Sequence, residues 1–336
     1  MAAHPIPEEM TAVVLQEYAG AQALQVVRRP VPTPGPQEVL IRVAASPVNP
    51  SDLAFLAGRY GLDKPAPVVP GIEGSGTVVA SGGGVMGRYL LGKRVACVAP
   101  ARGDGLWAEY MVAPAGNALP LHRSVELEQG AMSLANPLTA LAFMEIARAG
   151  GHTAIVNTAA ASALGQMVLR LAARAGIVVI NVVRRQEQVE LLTRQGAAVV
   201  LNSADEGFPG RLRDACQQHR ARLAFDAVAG TMTAQLLEAL PNNGRVTVYG
   251  GLSMEATEIL ATHFIFQGKS VDGFWLTPWM ERKNLLQSML FWRRAQRLMT
   301  SALQTHVRVR YPLAEARNAV LDYQRQMTGG KVLIIP

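Results

Sequence analysis

The 336-residue sequence predicts an α/β protein with two domains, one β-rich and one built on a doubly wound parallel sheet. Two observations carry this expectation. The first 120 residues hold short β-type runs separated by Pro and Gly, with little helical periodicity. From about residue 126, apolar runs alternate with segments of helical period, the spacing of βαβ crossovers. The length itself exceeds what one hydrophobic core usually serves.

In the first region the predicted strands are TAVVLQ (11–16), EVLIRVAAS (38–46), GSGTVVAS (74–81), KRVACVAP (93–100) and WAEYMV (107–112). Turn residues punctuate them, with PTPGPQ before the second and GGG at 82–84. In the second region TAIVNT (153–158) precedes a helix at 163–175, and IVVINVV (177–183) precedes one at 186–194. AVVLN (198–202) leads to a helix at 206–218, and ARLAFDAV (221–228) to one at 230–240, before RVTVYG (245–250). Residues 274–299 read as one long helix. HVRVRY (306–311), a helix at 313–326 and KVLIIP (331–336) close the chain. The last strand has no βαβ neighbour, so it is expected to return to the first domain. The expected division is 1–122 with 267–336, and 123–266.

Apolar residues make up 49% of the chain and charged residues 17%, the balance of a globular protein. No apolar run approaches the ~20 residues that span a bilayer. The first Lys or Arg is Arg28, while Glu8, Glu9 and Glu17 precede it, against the pattern of a secretory or Arg-rich transit segment. Cys97 and Cys216 alone cannot build a disulfide framework or a four-thiolate zinc site. A cytoplasmic protein with no membrane span is expected. The net charge of +7 suits nucleic acid, acidic carrier proteins or phosphate-bearing small molecules. The basic residues are scattered and form no nucleic-acid module, so nucleic acid is not expected as the main partner.

IVNTAAASALGQMV (155–168) joins an apolar run to a helix through tiny residues. Where a dinucleotide fingerprint has G-x-G-x-x-G, this turn has Ala160, Ser162 and Gly165. It reads equally as a cofactor turn or as a plain small-residue contact between strand and helix. The helix N-terminus behind it offers free N–H groups to a phosphate, and Ser162 a hydroxyl. After the next strand stand Arg184, Arg185 and Gln186 in place of the acid that binds a ribose hydroxyl. Guanidinium pairs with a 2′-phosphate, so a dinucleotide here should be NADP(H).

Taken together, these stretches resemble the medium-chain dehydrogenase/reductase superfamily over nearly the whole chain. That resemblance implies a GroES-like β-rich catalytic domain plus a doubly wound Rossmann domain. PVNPSDLAFLAGRYGL (47–62), TAAASALGQ (158–166), VYGGLS (248–253) and GFWLTPW (273–279) are similar to the NADPH-dependent trans-2-enoyl thioester reductases of mitochondrial fatty-acid synthesis. Zinc-dependent relatives place Cys where this chain has Asn49, and His where it has Ile72; asparagine and isoleucine cannot supply such a site. A zinc-independent member is implied, with no metal and with conjugate reduction as its chemistry.

By that resemblance Tyr60 donates the proton to the α-carbon; a phenol with an ordinary pKa near 10 keeps its proton at neutral pH. Asn49 becomes a substrate- or cofactor-orienting amide, and Trp275 lies beside the reacting groups. Implied cofactor contacts are Asn136; Ser162, Ala163, Leu164 and Gly165 at the pyrophosphate; and Arg184, Arg185 and Gln186 at the adenosine phosphate. Near the nicotinamide come Tyr249, Gly250, Gly251 and Leu252, then Phe274, Trp275, Leu276 and Thr277, with Lys331 as a late contact.

Ala161 and Ala163 depart from the Asn and Gly usual in that branch. Arg282, Lys283, Arg293, Arg294 and Arg297 form a basic stretch, read first as a solvated helix face. The expected substrate is a 2-enoyl thioester. A quinone is the alternative, and a non-catalytic NADPH-binding protein, crystallin-like or RNA-binding, is the alternative from another class. A homodimer is expected, with RVTVYG near the sheet edge that pairs.

Overall fold

The computed structural model describes residues 5–62 and 64–336. The chain divides into two compact units, Met1–Ala135 with Gln304–Pro336, and Asn136–Leu303.

In the first unit, β1 (Glu9–Leu15) and β2 (Leu24–Pro30) form an antiparallel pair. The strands β3 (Glu38–Pro47), β4 (Glu73–Ser81), β5 (Arg94–Val98), β6 (Tyr110–Pro114) and β7 (Ala118–Pro120) build an antiparallel sheet. Three short helices join them: α1 (Pro50–Leu56), α2 (Val85–Leu90) and α3 (Leu127–Ala131). Alternation in β3 and β5 buries Val39, Ile41, Val43, Val95 and Cys97 in one cluster. WAEYMV is only partly ladder: Ala108 bridges to Ala12, and the strand proper begins at Tyr110.

The helix α4 (Ala135–Ala149) leads into the second unit. Its six parallel strands are β8 (Ala154–Asn157), β9 (Val178–Val183), β10 (Val199–Asn202), β11 (Leu223–Asp226), β12 (Arg245–Val248) and β13 (Ser270–Gly273). The helices α5 (Ala163–Ala175), α6 (Gln186–Arg194), α7 (Phe208–Gln218) and α8 (Thr231–Ala239) cross between them, with α9 (Thr262–Ile265) before β13. The order β10-β9-β8-β11-β12-β13 is the doubly wound 3-2-1-4-5-6 arrangement, reversing direction between β8 and β11. Ala154, Val156, Ile180, Val182, Ala224 and Val246 bury one sheet face against α7 and α8.

The expected helix at 274–299 is two helices, α10 (Leu276–Glu281) and α11 (Leu285–Leu298). Asn284 breaks it: its side chain accepts from the Gln287 N–H at 2.9 Å, and the Gln287 side chain accepts from the Asn284 N–H at 3.0 Å. That reciprocal cap starts a new helix. The return to the first unit comes at residue 304, not at 267, because β13 extends the parallel sheet beyond β12. The outermost strand is therefore Ser270–Gly273 and not RVTVYG. Then β14 (Val307–Pro312), α12 (Ala316–Arg325) and β15 (Lys331–Ile335) rejoin the first unit, to which the last strand was expected to return, and β15 pairs there with β3.

Candidate functional site

A doubly wound sheet offers its ligand crevice where neighbouring strands part, outside their carboxyl ends. Here that is the end of β8 beside β11. The chain leaves β8 through Thr158 and Ala159, and Ala159 takes a left-handed φ of 47°. Ser162 then caps α5, its Oγ accepting from the Gly165 N–H at 3.1 Å. A hydroxyl that accepts in this way keeps its own proton to donate. Gly165 is required by space, since a Cβ there would lie 2.3 Å from the Ala160 carbonyl oxygen. Of the three fingerprint positions, only the one that sets the helix–strand distance retains its glycine.

The crevice floor is a polar knot that the sequence reading missed. Thr158 Oγ1 donates to Asp226 Oδ1 at 2.7 Å, and Thr233 Oγ1 to Asp226 Oδ2 at 2.6 Å. The N–H groups of Val228 and Ala229 also point to this carboxylate, and the Ala227 N–H donates to Thr158 Oγ1 at 2.8 Å. Asp226 and Thr158 are fully buried, so their bonds hold the two strand ends together. An Asp at the end of an apolar strand followed by Thr seven residues on was the signal available.

Arg184 and Arg185 follow directly on β9. Arg184 is exposed and has no carboxylate within ion-pair distance among the described residues. Arg185 Nε pairs with Glu187 at 2.9 Å, an acid whose role the sequence did not reveal. Gln186 is exposed at the start of α6.

Farther along the same sheet edge, Phe143 of α4 gathers the aromatic residues. It stacks on Phe225 with centroids 3.9 Å apart, and meets Tyr249 edge-on at 4.9 Å and Phe274 at 5.1 Å. Burial, with the Asp226 carboxylate nearby, pushes the Tyr249 phenol above its ordinary pKa. The backbone between is pinned: the Tyr249 N–H donates to Asp226 O, that of Leu252 to Ala227 O, and that of Phe274 to Val248 O. Gly250 again answers to space, with a Cβ placed 2.8 Å from Ala227 O. Gly251, Leu252, Trp275 and Thr277 lie exposed, Leu276 half-exposed, and Asn136 half-buried at the start of α4.

The first unit holds Asn49, Tyr60 and Lys331. Asn49 precedes α1 and Tyr60 follows it, so one short helix spaces the two. Tyr60 is half-buried against the core that includes Phe55, Leu56 and Val69. Asn49, Asp52, Glu73 and Lys331 are buried together. Lys331 Nζ donates to Asn49 Oδ1 and, at 3.5 Å, to Val48 O. Asn49 Nδ2 donates to Glu73 Oε1 at 3.0 Å, while Glu73 Oε2 accepts from the Leu134 and Ala135 N–H groups. Asp52 accepts from the backbone N–H groups of Asn49 and Ile72. Burial raises the pKa of Glu73, against the pull of Lys331; it lowers that of Lys331, against the carboxylates of Glu73 and Asp52. Lys331, expected as a cofactor contact, thus has its ammonium turned to Asn49. No group of three His, Cys, Asp or Glu side chains arranged for a metal ion occurs among the described residues, and no helix there is long and apolar enough to cross a membrane.

Comparison with known proteins matches residues 35–123 to the alcohol dehydrogenase GroES-like domain and residues 163–290 to zinc-binding dehydrogenase. The mitochondrial enoyl-[acyl-carrier-protein] reductase of Arabidopsis thaliana is 30% identical over 80% of this chain and 72% of its own. A candidate NADPH:quinone reductase of Mesorhizobium loti is 37% identical, covering 99% of this chain and 100% of its own with a TM-score of 0.93. A mycobacterial protein complexed with NADPH is 26% identical, covering 97% of this chain and 100% of its own with a TM-score of 0.85.

Proposed function

Because the chain belongs to the medium-chain dehydrogenase/reductase superfamily of oxidoreductases, we propose that it is an NADPH-dependent reductase of activated C=C bonds, acting on 2-enoyl thioesters. The observation that carries this reading is the makeup of the position where zinc-dependent relatives hold metal. Asn49 stands there with its amide between Lys331 and Glu73, and Ile72 supplies no ligand. Such residues favour the conjugate reduction of an alkene over metal-assisted alcohol chemistry.

The residues present fit NADPH. Ser162 has a hydroxyl proton to give to a phosphate oxygen, and the α5 N-terminus attracts negative charge. Arg184 is available for a 2′-phosphate, with Arg185 shared with Glu187. Tyr249 and Phe274, set by Phe143, shape the apolar side of the site. When bound, NADPH supplies the hydride that reaches the β-carbon. Tyr60 then gives its phenolic proton to the α-carbon of the enolate and is reprotonated from solvent.

The test is Tyr60→Phe, which keeps the ring and removes the proton. A fall of about 10²–10⁴-fold in kcat on crotonyl-CoA is expected, with NADPH affinity unchanged. Undiminished turnover would take Tyr60 out of the mechanism. It would also favour NADPH:quinone reduction, a reading supported by the higher identity to the Mesorhizobium loti protein.

The same reading includes a cytoplasmic location, suited to two buried free thiols, and a homodimer. Residues 254–260 run without strand pairing, and Leu260, Ile265 and Phe266, in the segment that leads into the edge strand β13, are 71%, 68% and 77% exposed. An apolar edge of this kind suits a second copy. A monomer mass by light scattering at micromolar concentration would overturn the dimer.

A further inference from the structure

Asn49, Glu73 and Lys331 are each no more than 2% exposed. An asparagine side chain has one acceptor oxygen and two N–H donors, an ammonium only donors, and an ionised carboxylate only acceptors. Chemistry therefore assigns the ends of this amide. The reverse orientation would set NH₂ against the Lys331 ammonium and oxygen against Glu73, two repulsions in a weakly screened interior. Oδ1 is taken by Lys331, and one N–H of Nδ2 goes to Glu73 Oε1 at 3.0 Å. Glu73 is the acceptor for Nδ2 among the described residues, which leaves the second N–H to give.

The grip is rigid on every side. Glu73 is itself anchored by the Leu134 and Ala135 N–H groups at 3.2 and 2.9 Å. Asp52 fixes the backbone beneath, accepting from the N–H groups of Asn49 at 2.8 Å and Ile72 at 3.0 Å. An ammonium on the carbonyl end draws density from the amide nitrogen, and linked hydrogen bonds polarise one another. The result is a donor held in place before any substrate arrives.

We propose that Lys331 and Glu73 are positioning residues that lock the Asn49 carboxamide, so that its remaining N–H is a fixed donor to the substrate oxygen on which negative charge develops. The inference rests on the reading of this chain as a reductase of conjugated carbonyl compounds. Hydride addition at a β-carbon moves charge onto the carbonyl oxygen, and a preorganised donor aimed there lowers the barrier. Lys331 and Glu73 act through Asn49 and do not touch the substrate.

A double-mutant cycle on the full chain tests this, with Asn49→Leu and Lys331→Met measured singly and together for kcat, KM, NADPH affinity by fluorescence, and Tm. Asn49→Leu is expected to lower kcat on crotonyl-CoA about 100-fold, and Lys331→Met about 10- to 100-fold, each leaving NADPH affinity nearly unchanged. The double variant should fall no further than Asn49→Leu, within about twofold. Multiplying losses overturn the proposal. So does a Lys331→Met enzyme whose defect lies in NADPH affinity with kcat intact, for then Lys331 meets the cofactor directly. If Lys331→Met does not fold, Glu73→Gln takes its place in the same cycle, with the same outcomes. A wild-type protein that reduces simple quinones and not crotonyl-CoA overturns the substrate reading alone. The cycle is then run on the quinone, whose oxygen also gains charge, and coupling or additivity decides the lock.

Discussion

Replacing Gly165 by Ala adds one carbon where the turn after β8 meets the start of α5. That carbon would sit 2.3 Å from the Ala160 carbonyl oxygen and 2.6 Å from both Ala160 C and Cα. A comfortable C···O approach is about 3.3 Å, so turn and helix must part by about 1 Å. The obstructing atoms are backbone, which cannot swing aside as a side-chain end would. Overpacking of this kind costs about 1–3 kcal/mol. The parting also loosens the cap between Ser162 Oγ and the Gly165 N–H, worth about 1 kcal/mol. A total of about 2–4 kcal/mol corresponds to a Tm lowered by roughly 5–15 °C in a domain of this size.

The same displacement moves the N–H groups and the hydroxyl that are to hold the pyrophosphate. NADPH Kd should therefore rise about tenfold or more, the equivalent of 1.4 kcal/mol. Gly176→Ala is the control. Gly176 ends α5 with a φ of 68°, and an added Cβ meets nothing within 4 Å. Its cost is the left-handed backbone alone, about 1–2 kcal/mol, with NADPH affinity intact. Thermal melts and fluorescence titration of both variants suffice. A Gly165→Ala protein that melts within about 2 °C of wild type and binds NADPH equally well would refute the close-approach reasoning.

Arg184→Ala should weaken NADPH by about 1.5–3 kcal/mol and leave NADH nearly unchanged, while Arg185→Ala costs less because Glu187 already shares that guanidinium; equal losses for both cofactors in a titration would refute the phosphate assignment. Asp52 is pushed up to about 7, chiefly by burial and further by Glu73, from an ordinary 3.8. A carboxyl raised on folding binds more protons in the native state between those values, so its contribution is full below 3.8 and lost as pH rises through about 7. The Tm difference between wild type and Asp52→Asn should accordingly shrink from pH 5 to pH 8, and a constant or widening difference would contradict the sign.

Where local chemistry decides an element, the sequence was readable. Strand and helix alternation from 153 to 250 predicted the second unit, because each strand is an apolar run and each crossover helix has its own stripe. The turn at 158–165 was readable as to place, though not as to use, and the geometry explains its missing glycines. Ala159 accepts the left-handed bend, Ser162 supplies the cap, and Gly165 alone faces an obstructing backbone. Two local features still escaped. SVDG is four residues, with Asp and Gly in a short edge strand, so nothing in it announced β13 or moved the domain return to 304. Asn284 hid a helix boundary inside a stretch of continuous helical character, since a cap outweighs periodicity at one position.

What no pattern could reveal are the pairings between distant residues. Lys331 and Asn49 lie 282 residues apart, and Thr158 and Asp226 lie 68 apart, so neither partner predicts the other from its own surroundings. Lys331 in GGKVLI carried only the cofactor contact that the resemblance implies, and the pairing of β15 with β3 brings its ammonium beside Val48 and Asn49. The first unit needs that closing strand for more than its sheet. Through Lys331, the C-terminal segment reaches the buried amide of Asn49. One strand thus supplies both a ladder partner for β3 and a hydrogen bond to Asn49 Oδ1. A variant that shifts β15 should therefore loosen the Lys331–Asn49 hydrogen bond along with the β15–β3 pairing, and a lowered Tm is the measurement that checks it.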